Sequence, residues 1–234
     1  MANLWSWRGN PTLPMKYLTL FAFLASSLLG SEAMVKVVYR LQGPDIEPGA
    51  YAGLPRTVYR VGDNMGRVEE TRDLEFGMHA LIILNGRDIW MINQVNESGM
   101  HFIAPDPERG FRVPIVPSGS PVGDHRAPLF EIGRELTFMA ENEVEPIRRG
   151  EDCNFFDVYE TVVDGVTLTV FCAPDSNSPL RTQVREGDEL LVEIAYDFYE
   201  TGLPLDSDLF RPEASLQITE HSRNLPAAVA SASN

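Results

Sequence analysis

The sequence predicts a strand-dominated fold with a single domain over residues 34–222. The first observation is a series of short runs rich in Val, Ile, Leu and Tyr, about ten or eleven in number. The second is the turn signals between these runs, such as Asn85-Gly86 and Asp164-Gly165. Such pairs suit a type I′ hairpin turn, which needs φ > 0 at both central residues. The third is that only one segment has helical periodicity, and no internal repeat is present.

The first 33 residues have the layout of a secretory signal peptide. Lys16 precedes the apolar run 17–29, and small residues occupy the −3 and −1 positions of a cut after Ala33. The run is shorter than the ~20 residues that span a membrane, and an uncleaved N-terminal anchor is the alternative. We therefore expect a periplasmic or secreted protein.

Acidic residues outnumber basic ones, with 34 Asp and Glu against 19 Lys and Arg, for a formal net charge of −15. A chain this acidic repels phosphate backbones and anionic membrane surfaces, so nucleic acid is not an expected partner. The acidity can also serve solubility alone. We expect a monomer whose contact with the envelope is peripheral.

The first predicted strands are β-branched or aromatic runs that end at Gly, Pro or Asn. They are residues 35–41, 56–61, 66–71, 80–84, 88–94 and 100–104. The last three form an antiparallel meander. With Val95 opposite Met100 as the register, Met91 and Phe102 share one face of the sheet because side chains alternate. Trp90 points to the other face, and the sequence leaves open which face is concave.

The middle of the chain is irregular. Prolines and glycines recur through residues 105–126. A connection of this length in a compact domain usually has a function, so we interpret it as a lid or rim loop. Residues 127–136 are the predicted helix, because Pro128 suits a first turn and Leu129, Ile132 and Leu136 recur at helical spacing.

Strands return in the second half of the chain. The predicted runs are 136–140, 154–163, 166–173, 180–186, 189–198 and 215–219. Asp206 is the expected cap of a helical turn that buries Leu209 and Phe210. Residues 223–234 form a low-complexity tail that is expected to be disordered.

The two cysteines, Cys153 and Cys172, allow one intramolecular pairing in an exported chain. A reactive thiol or a metal pair lacks histidine partners nearby in the sequence. If Asp164-Gly165 is a two-residue turn, Cys172 falls opposite Asp157, so a bridge needs a bulge near Cys153. We favour a structural disulfide between the two, with free thiols as the alternative.

Catalytic signatures are absent from the sequence. It has no G-x-S-x-G, no P-loop, no G-x-G-x-x-G and no H-E-x-x-H. The four histidines lack metal-ligand spacing, and the paired carboxylates are typical of solvated faces. We expect that the protein is not an enzyme and that it has no cofactor and no metal site.

The apolar residues are more informative about function than the polar ones. Methionine is soft and suits surfaces that accept variable apolar partners, so a curved sheet lined with Met and Phe could hold an acyl chain. Met91, Phe102 and Phe138 are the candidate lining residues, with Trp90 added in case the other face is concave. The alternative is that all four are ordinary core.

Several segments resemble the exported lipoprotein-carrier superfamily that includes LolA, LolB and RseB. They are YRVGDNMGRVEE, DIWMINQ, GMHFIAP and EIAYDFYETGLPLDSDLFRP. Leu209, Phe210 and Pro212 match a turn that occurs late in such chains. The resemblance implies an unclosed, strongly curved antiparallel half-barrel with helices over its concave side. Unlike the carriers, this chain starts directly on a strand after the cut, and only one helix is predicted to cover the sheet.

The resemblance also implies a function. We expect an exported binding or carrier protein that holds a lipid, an acyl chain or a lipidated protein in an apolar half-barrel. The alternative is an envelope sensor or protein-interaction domain that uses the same sheet without transporting lipid.

Overall fold

The computed structural model describes residues 33–47, 49–104, 111, 113, 131–151, 154–174, 176 and 178–221. All of them belong to one compact unit that begins at Ala33. The predicted signal peptide up to residue 32, the loop 105–126 apart from two residues, and the tail 223–234 lie outside the described residues. Those predictions stay predictions.

The described residues contain strands β1 to β12. In chain order they are β1 (Met34–Gln42), β2 (Arg56–Val61), β3 (Met65–Glu70), β4 (Ala80–Asn85), β5 (Asp88–Asn93), β6 (Ser98–Ile103), β7 (Ile147–Glu151), β8 (Asn154–Val163), β9 (Val166–Cys172), β10 (Pro179–Glu186), β11 (Glu189–Leu203) and β12 (Gln217–Glu220). One α-helix, α1 (Glu135–Glu141), and two 3-10 turns, η1 (Tyr51–Gly53) and η2 (Ser207–Phe210), complete the described elements.

All twelve strands belong to one sheet, in the order β12-β6-β5-β4-β3-β2-β1-β11-β10-β9-β8-β7. Strands β12 and β7 are the two edges, so the sheet is not closed. The predicted fold class, a mainly β half-barrel with one short covering helix, is confirmed. Two details differ. β12 pairs with β6 in parallel, and β7 was not predicted because its sequence, IRRGE, lacks an apolar alternation.

The turn chemistry was predicted in part. Asp164 and Gly165 both have positive φ (52° and 82°), and Val163 pairs with Val166, as a type I′ hairpin requires. The predicted Asn85-Gly86 turn is wrong by one residue. Asn85 belongs to β4 and pairs with Asp88, which leaves Gly86 and Arg87 as the loop.

The meander has the predicted faces but a different register. Met91 lies opposite Met100, not Ala104, because the turn between β5 and β6 consists of residues 94–97. A slip by an even number of residues leaves every side chain on the same face. Met91 and Phe102 therefore share one face, and Trp90 points to the other, as predicted.

The helix lies C-terminal to its predicted position. α1 occupies Glu135–Glu141, so the predicted helix over 127–136 and the predicted strand over 136–140 are both wrong. Gly133 has φ of 83°, a left-handed conformation that a helix interior does not accept. The backbone N–H of Gly133 donates to the Glu135 side chain instead. Residues 127–130 lie outside the described residues.

Two hydrophobic clusters lie on opposite faces of the sheet. The main cluster includes side chains of β1, β2, β4, β9, β10 and β11 and is joined by Met139 of α1. Ile89 packs against it, so Met91 and Phe102 lie on the helix-side face. The second cluster, here called the Phe210 cluster, includes Ile83 and Ile92, and Trp90 packs against it. No helix among the described residues is long and apolar enough to cross a membrane.

Candidate functional site: a groove beside the covering helix

A cavity of about 930 Å³ lies beside α1, where the helix faces residues of β1, β8 and β11. Its apolar wall is formed by Val35, Leu136, Ala140, Val144, Tyr159 and Tyr199. Its polar lining includes Thr137, Thr201, Glu143 and Glu145. Several of these residues are exposed, so the cavity opens to solvent as a groove.

Helical spacing divides α1 between the core and the groove. Glu135 and Met139 are buried, while Leu136 and Ala140, one position further along, line the groove. After the helix, the N–H of Val144 donates to the carbonyl of Met139 at 3.0 Å. This bond turns the chain back, so that Val144 forms part of the apolar wall.

The start of α1 is fixed by the buried carboxylate of Glu135, which is 1% exposed. It accepts hydrogen bonds from the backbone N–H of Gly133 at 3.0 Å and from the hydroxyls of Tyr196 and Tyr199. Burial raises the pKa of Glu135, although these hydrogen bonds oppose the shift. Since Tyr199 also lines the groove, this network links the helix, β11 and the cavity wall.

A second buried polar group holds the segment before the helix. Arg60 of β2 is 2% exposed. Its guanidinium donates to the carbonyls of Ile132 and Phe111 and to the carboxylate of Glu131, each at 3.1 Å. A buried arginine with several acceptors keeps its charge satisfied, so the approach to α1 is fixed to the sheet.

The residues that the sequence proposed as ligand lining are not brought together. Met91 lies on the helix-side face, in a row with Ile82 and Met100, which are 38% and 39% exposed. Phe102, on the same face, is buried and stacks on His221 at a centroid distance of 5.2 Å. None of these residues is among those that line the groove.

The other two candidates occupy different places. Trp90 lies on the opposite face, stacked on His101 with centroids 5.0 Å apart. Phe138 lies on α1 and packs against the main cluster. The structure therefore separates the four candidates, and their role as ligand lining stays a prediction.

The groove residues were missed because their proximity depends on the helix boundary. Leu136 ended the predicted helix and began the predicted strand over 136–140 that also held Ala140, so neither element placed both residues on one face of a helix. Glu135 also carried a weak signal, an acidic residue inside the run IGRELTFMA. A charged residue in an apolar run is uncommon in a buried segment unless it is paired.

Of the two cysteines, the structure describes Cys172. Cys172 is a free cysteine that lies opposite Asp157, the pairing that the Asp164-Gly165 turn predicted. Burial raises the pKa of its thiol to about 12, with smaller contributions from nearby acidic groups. Such a thiol is unreactive at neutral pH. Cys153 lies outside the described residues.

Comparison with known proteins gives structural likeness only. No protein-family model matches the chain, and no curated protein does. An uncharacterized conserved protein from Thermus thermophilus is similar at 10% identity and a TM-score of 0.44, over 87% of this chain and 99% of that one. MucB in complex with MucA(peri) is similar at 12% identity and a TM-score of 0.39, over 86% of this chain and 61% of MucB.

A LolA superfamily protein from Nitrosomonas europaea is similar at 15% identity and a TM-score of 0.32, over 76% of this chain and 89% of that one. The similar structures thus include a member of the superfamily that the sequence resembles. At these identities and TM-scores the likeness concerns the fold alone. The class that the fold and the groove themselves define is an open-sheet protein with a cavity, apolar along one wall, beside the one helix of the described residues.

Proposed function

We propose that this chain is an exported binding or carrier protein that holds an acyl chain in the groove beside α1. The acyl chain could belong to a free lipid or to a lipidated protein. The observation that carries the proposal is the cavity of about 930 Å³, which lies within the ~300–1,000 Å³ of small-molecule sites. Its wall of aliphatic and tyrosine side chains suits an apolar ligand.

The partial burial of this wall supports binding. Leu136, Val144 and Tyr159 pack against the main cluster but remain partly accessible from the groove. Covering apolar surface of this kind contributes ~25 cal/mol for each Å² removed from water. An acyl chain would cover this apolar wall, and it has no polar groups there that need hydrogen-bond partners. The anchored start of α1 keeps the groove formed before a ligand arrives, which lowers the entropic cost of binding.

A second apolar surface on the same face is the row Ile82, Met91 and Met100. Its side chains are adjacent across three strands, and two of them are more than one third exposed. We infer that this row is a further place where an apolar ligand can lie. Trp90 has no part in either place, because it points to the opposite face.

The test uses one residue of α1 that lines the groove and one that does not. Ala140 is exposed and lines the cavity, so Ala140→Trp should obstruct the groove beside α1 without disturbing the core. Glu141, the next residue, is exposed and does not line it, so Glu141→Trp is the matched control.

Native mass spectrometry of the protein from its host, followed by lipid extraction, gives the readout. We expect a co-purifying acyl species with the parent protein and with Glu141→Trp, and its loss with Ala140→Trp. Extraction of a free lipid or recovery of an acylated peptide distinguishes the two sources. A protein that carries no acyl species and takes up none when it is added would contradict the proposal and favour a protein-interaction domain.

A further inference from the structure

The rim of the groove is negatively charged. Glu143 and Glu145 follow α1, line the cavity and are exposed. Neither has an ion-pair partner among the described residues. No Lys or Arg is among the described residues that line the cavity. A ligand that enters the groove therefore meets two uncompensated carboxylates at its mouth.

Two arginines that hold the approach to α1 already have partners. Arg134, next to Gly133 in the wall, forms an ion pair with Asp63 and lies 3.6 Å from Glu141. Arg60 is bonded to Glu131. These guanidinium groups are engaged with carboxylates of their own, so they offer little to an anionic ligand.

The cation adjacent to the wall on β1 also points elsewhere. Lys36 follows Val35 in a strand, so its side chain leaves on the other face of the sheet. There its ammonium lies 5.4 Å and 5.3 Å from the ring centroids of Tyr59 and Phe198. The groove thus keeps its negative character on this side as well.

Two tyrosine rings, those of Tyr159 and Tyr199, form part of the wall. The face of an aromatic ring is negative and attracts a cation within ~6 Å of its centroid. Burial is the main cause of the raised pKa of the Tyr159 phenol, and the negative charge of Glu145 is among the smaller causes. The field of the rim therefore reaches the ring that lines the groove.

We propose that the ligand of this groove is an amphiphile with a positively charged head, held by Glu143, Glu145 and the Tyr159 ring while its apolar chain lies against Leu136 and Val144. An amphiphile with an anionic head would meet repulsion at the same place. The inference rests on the proposed function, because it assigns a head group to the ligand of the same groove.

The experiment compares three amphiphiles that share a dodecyl chain and differ in the head: dodecyltrimethylammonium, dodecyl maltoside and dodecyl sulfate. Each is titrated into the full chain by calorimetry below its micelle concentration, with circular dichroism as a check that the protein stays folded. We expect the cationic probe to bind about tenfold more tightly than the maltoside, as two nearby carboxylates allow. The sulfate should bind most weakly, and added salt should reduce the differences.

Variants separate the rim from the overall acidity of the chain. The double variant Glu143→Gln/Glu145→Gln should lower the affinity for the cationic probe to that for the maltoside. Asp188→Asn/Glu189→Gln makes the same change in net charge at the exposed turn between β10 and β11. That turn lies ten residues from Tyr199, ~33 Å along the strand, so this control should keep the preference.

The outcomes distinguish the two proposals. If none of the three probes binds, the proposed function fails, and the inference fails with it. If all bind equally, or if the sulfate binds most tightly, the groove still holds an acyl chain but the head-group inference is overturned. Equal loss in the rim variant and the control would also overturn it, as would undiminished binding of the cationic probe to Ala140→Trp.

Discussion

His101 and Glu220 join β6 to the edge strand β12, with Nδ1 of His101 2.6 Å from Oε2 of Glu220. On the other side of the ring, Nε2 lies 2.8 Å from Oδ1 of Asp88. Both ring nitrogens can donate at once only when the imidazole is protonated. β12 has four residues and one neighbouring strand, so this titratable group is one of the few contacts that attach it.

Raising the pH should loosen β12. Burial lowers the pKa of His101, but its hydrogen bonds to Glu220 and Asp88 outweigh burial and hold the pKa above its usual value of 6.5. The stabilisation is therefore complete below that usual value and is lost as the pH rises through the raised pKa of the folded state. Amide hydrogen exchange at His221, whose N–H donates to the carbonyl of His101, measures this after correction for intrinsic exchange.

Two histidine variants test whether His101 causes the pH dependence of protection at β12. His101→Gln should remove the pH-dependent part of the protection at β12. His79→Gln changes the histidine just before β4, which lies 3.4 Å from Glu69, and should leave that protection in place. Protection at His221 that does not change between about pH 5 and 9 in the parent protein would contradict this account.

The buried carboxylate of Glu135 should be replaceable by an amide but not by a hydrocarbon. Glu135→Leu leaves the N–H of Gly133 and the hydroxyls of Tyr196 and Tyr199 without their acceptor. Each buried unsatisfied group costs about 1–3 kcal/mol. Denaturant unfolding should show a loss of at least that size for Glu135→Leu and a much smaller loss for Glu135→Gln.

The pH dependence gives this prediction a second readout. Burial raises the pKa of Glu135, so its contribution to stability is greatest at low pH and declines as the pH rises through the raised value. Glu135→Gln should remove that part of the decline. Equal unfolding free energies for the Leu and Gln variants would mean that the hydrogen-bond network does not hold α1.

Gly99 is expected to be required where β6 lies between β5 and β12. A Cβ at this position would lie 2.8 Å from the carbonyl oxygen of Met91 and 3.1 Å from Cδ1 of Ile218 in β12. Gly99→Ala should therefore disturb the pairing of β6 with β5 and cost about 1–3 kcal/mol. Gly53→Ala, where the nearest atoms are 3.4 Å away, is the control and should have little effect on unfolding.

Phe210 is expected to be the main anchor of the opposite face. Its side chain is fully buried in the Phe210 cluster, and its carbonyl accepts from Nδ2 of Asn85 at 3.3 Å. Phe210→Ala should cost about 3–5 kcal/mol in thermal or denaturant unfolding. Leu205→Ala, at a residue 45% exposed nearby in the sequence, should cost far less, and a similar loss in both would contradict this role.

The sheet could be predicted because its signals are local. Asp164-Gly165 fixes a hairpin through positive φ values, and alternation places Met91 and Trp90 on opposite faces whatever the even-numbered slip of register. The η2 turn was predicted equally well, since the Asp206 side chain accepts from the N–H of Asp208 as a cap and Phe210 is buried.

The groove could not be predicted because it depends on long-range contacts. α1 begins where the carboxylate of Glu135 meets Tyr196 and Tyr199, more than sixty residues later in the chain. No local pattern signals that meeting, so the helix was placed too early and Ala140 was left outside it. The parallel pairing of β12 is likewise a matter of tertiary packing.

The most direct test of the groove is photolabelling with an alkyl chain that carries a diazirine at its end, followed by peptide mapping. The account predicts labels on Leu136, Val144 or Tyr159, which a saturating excess of unlabelled acyl ligand removes and which Ala140→Trp abolishes. Labels confined to exposed apolar residues away from the groove, such as Val162 or Phe155, with the groove unlabelled, would contradict it.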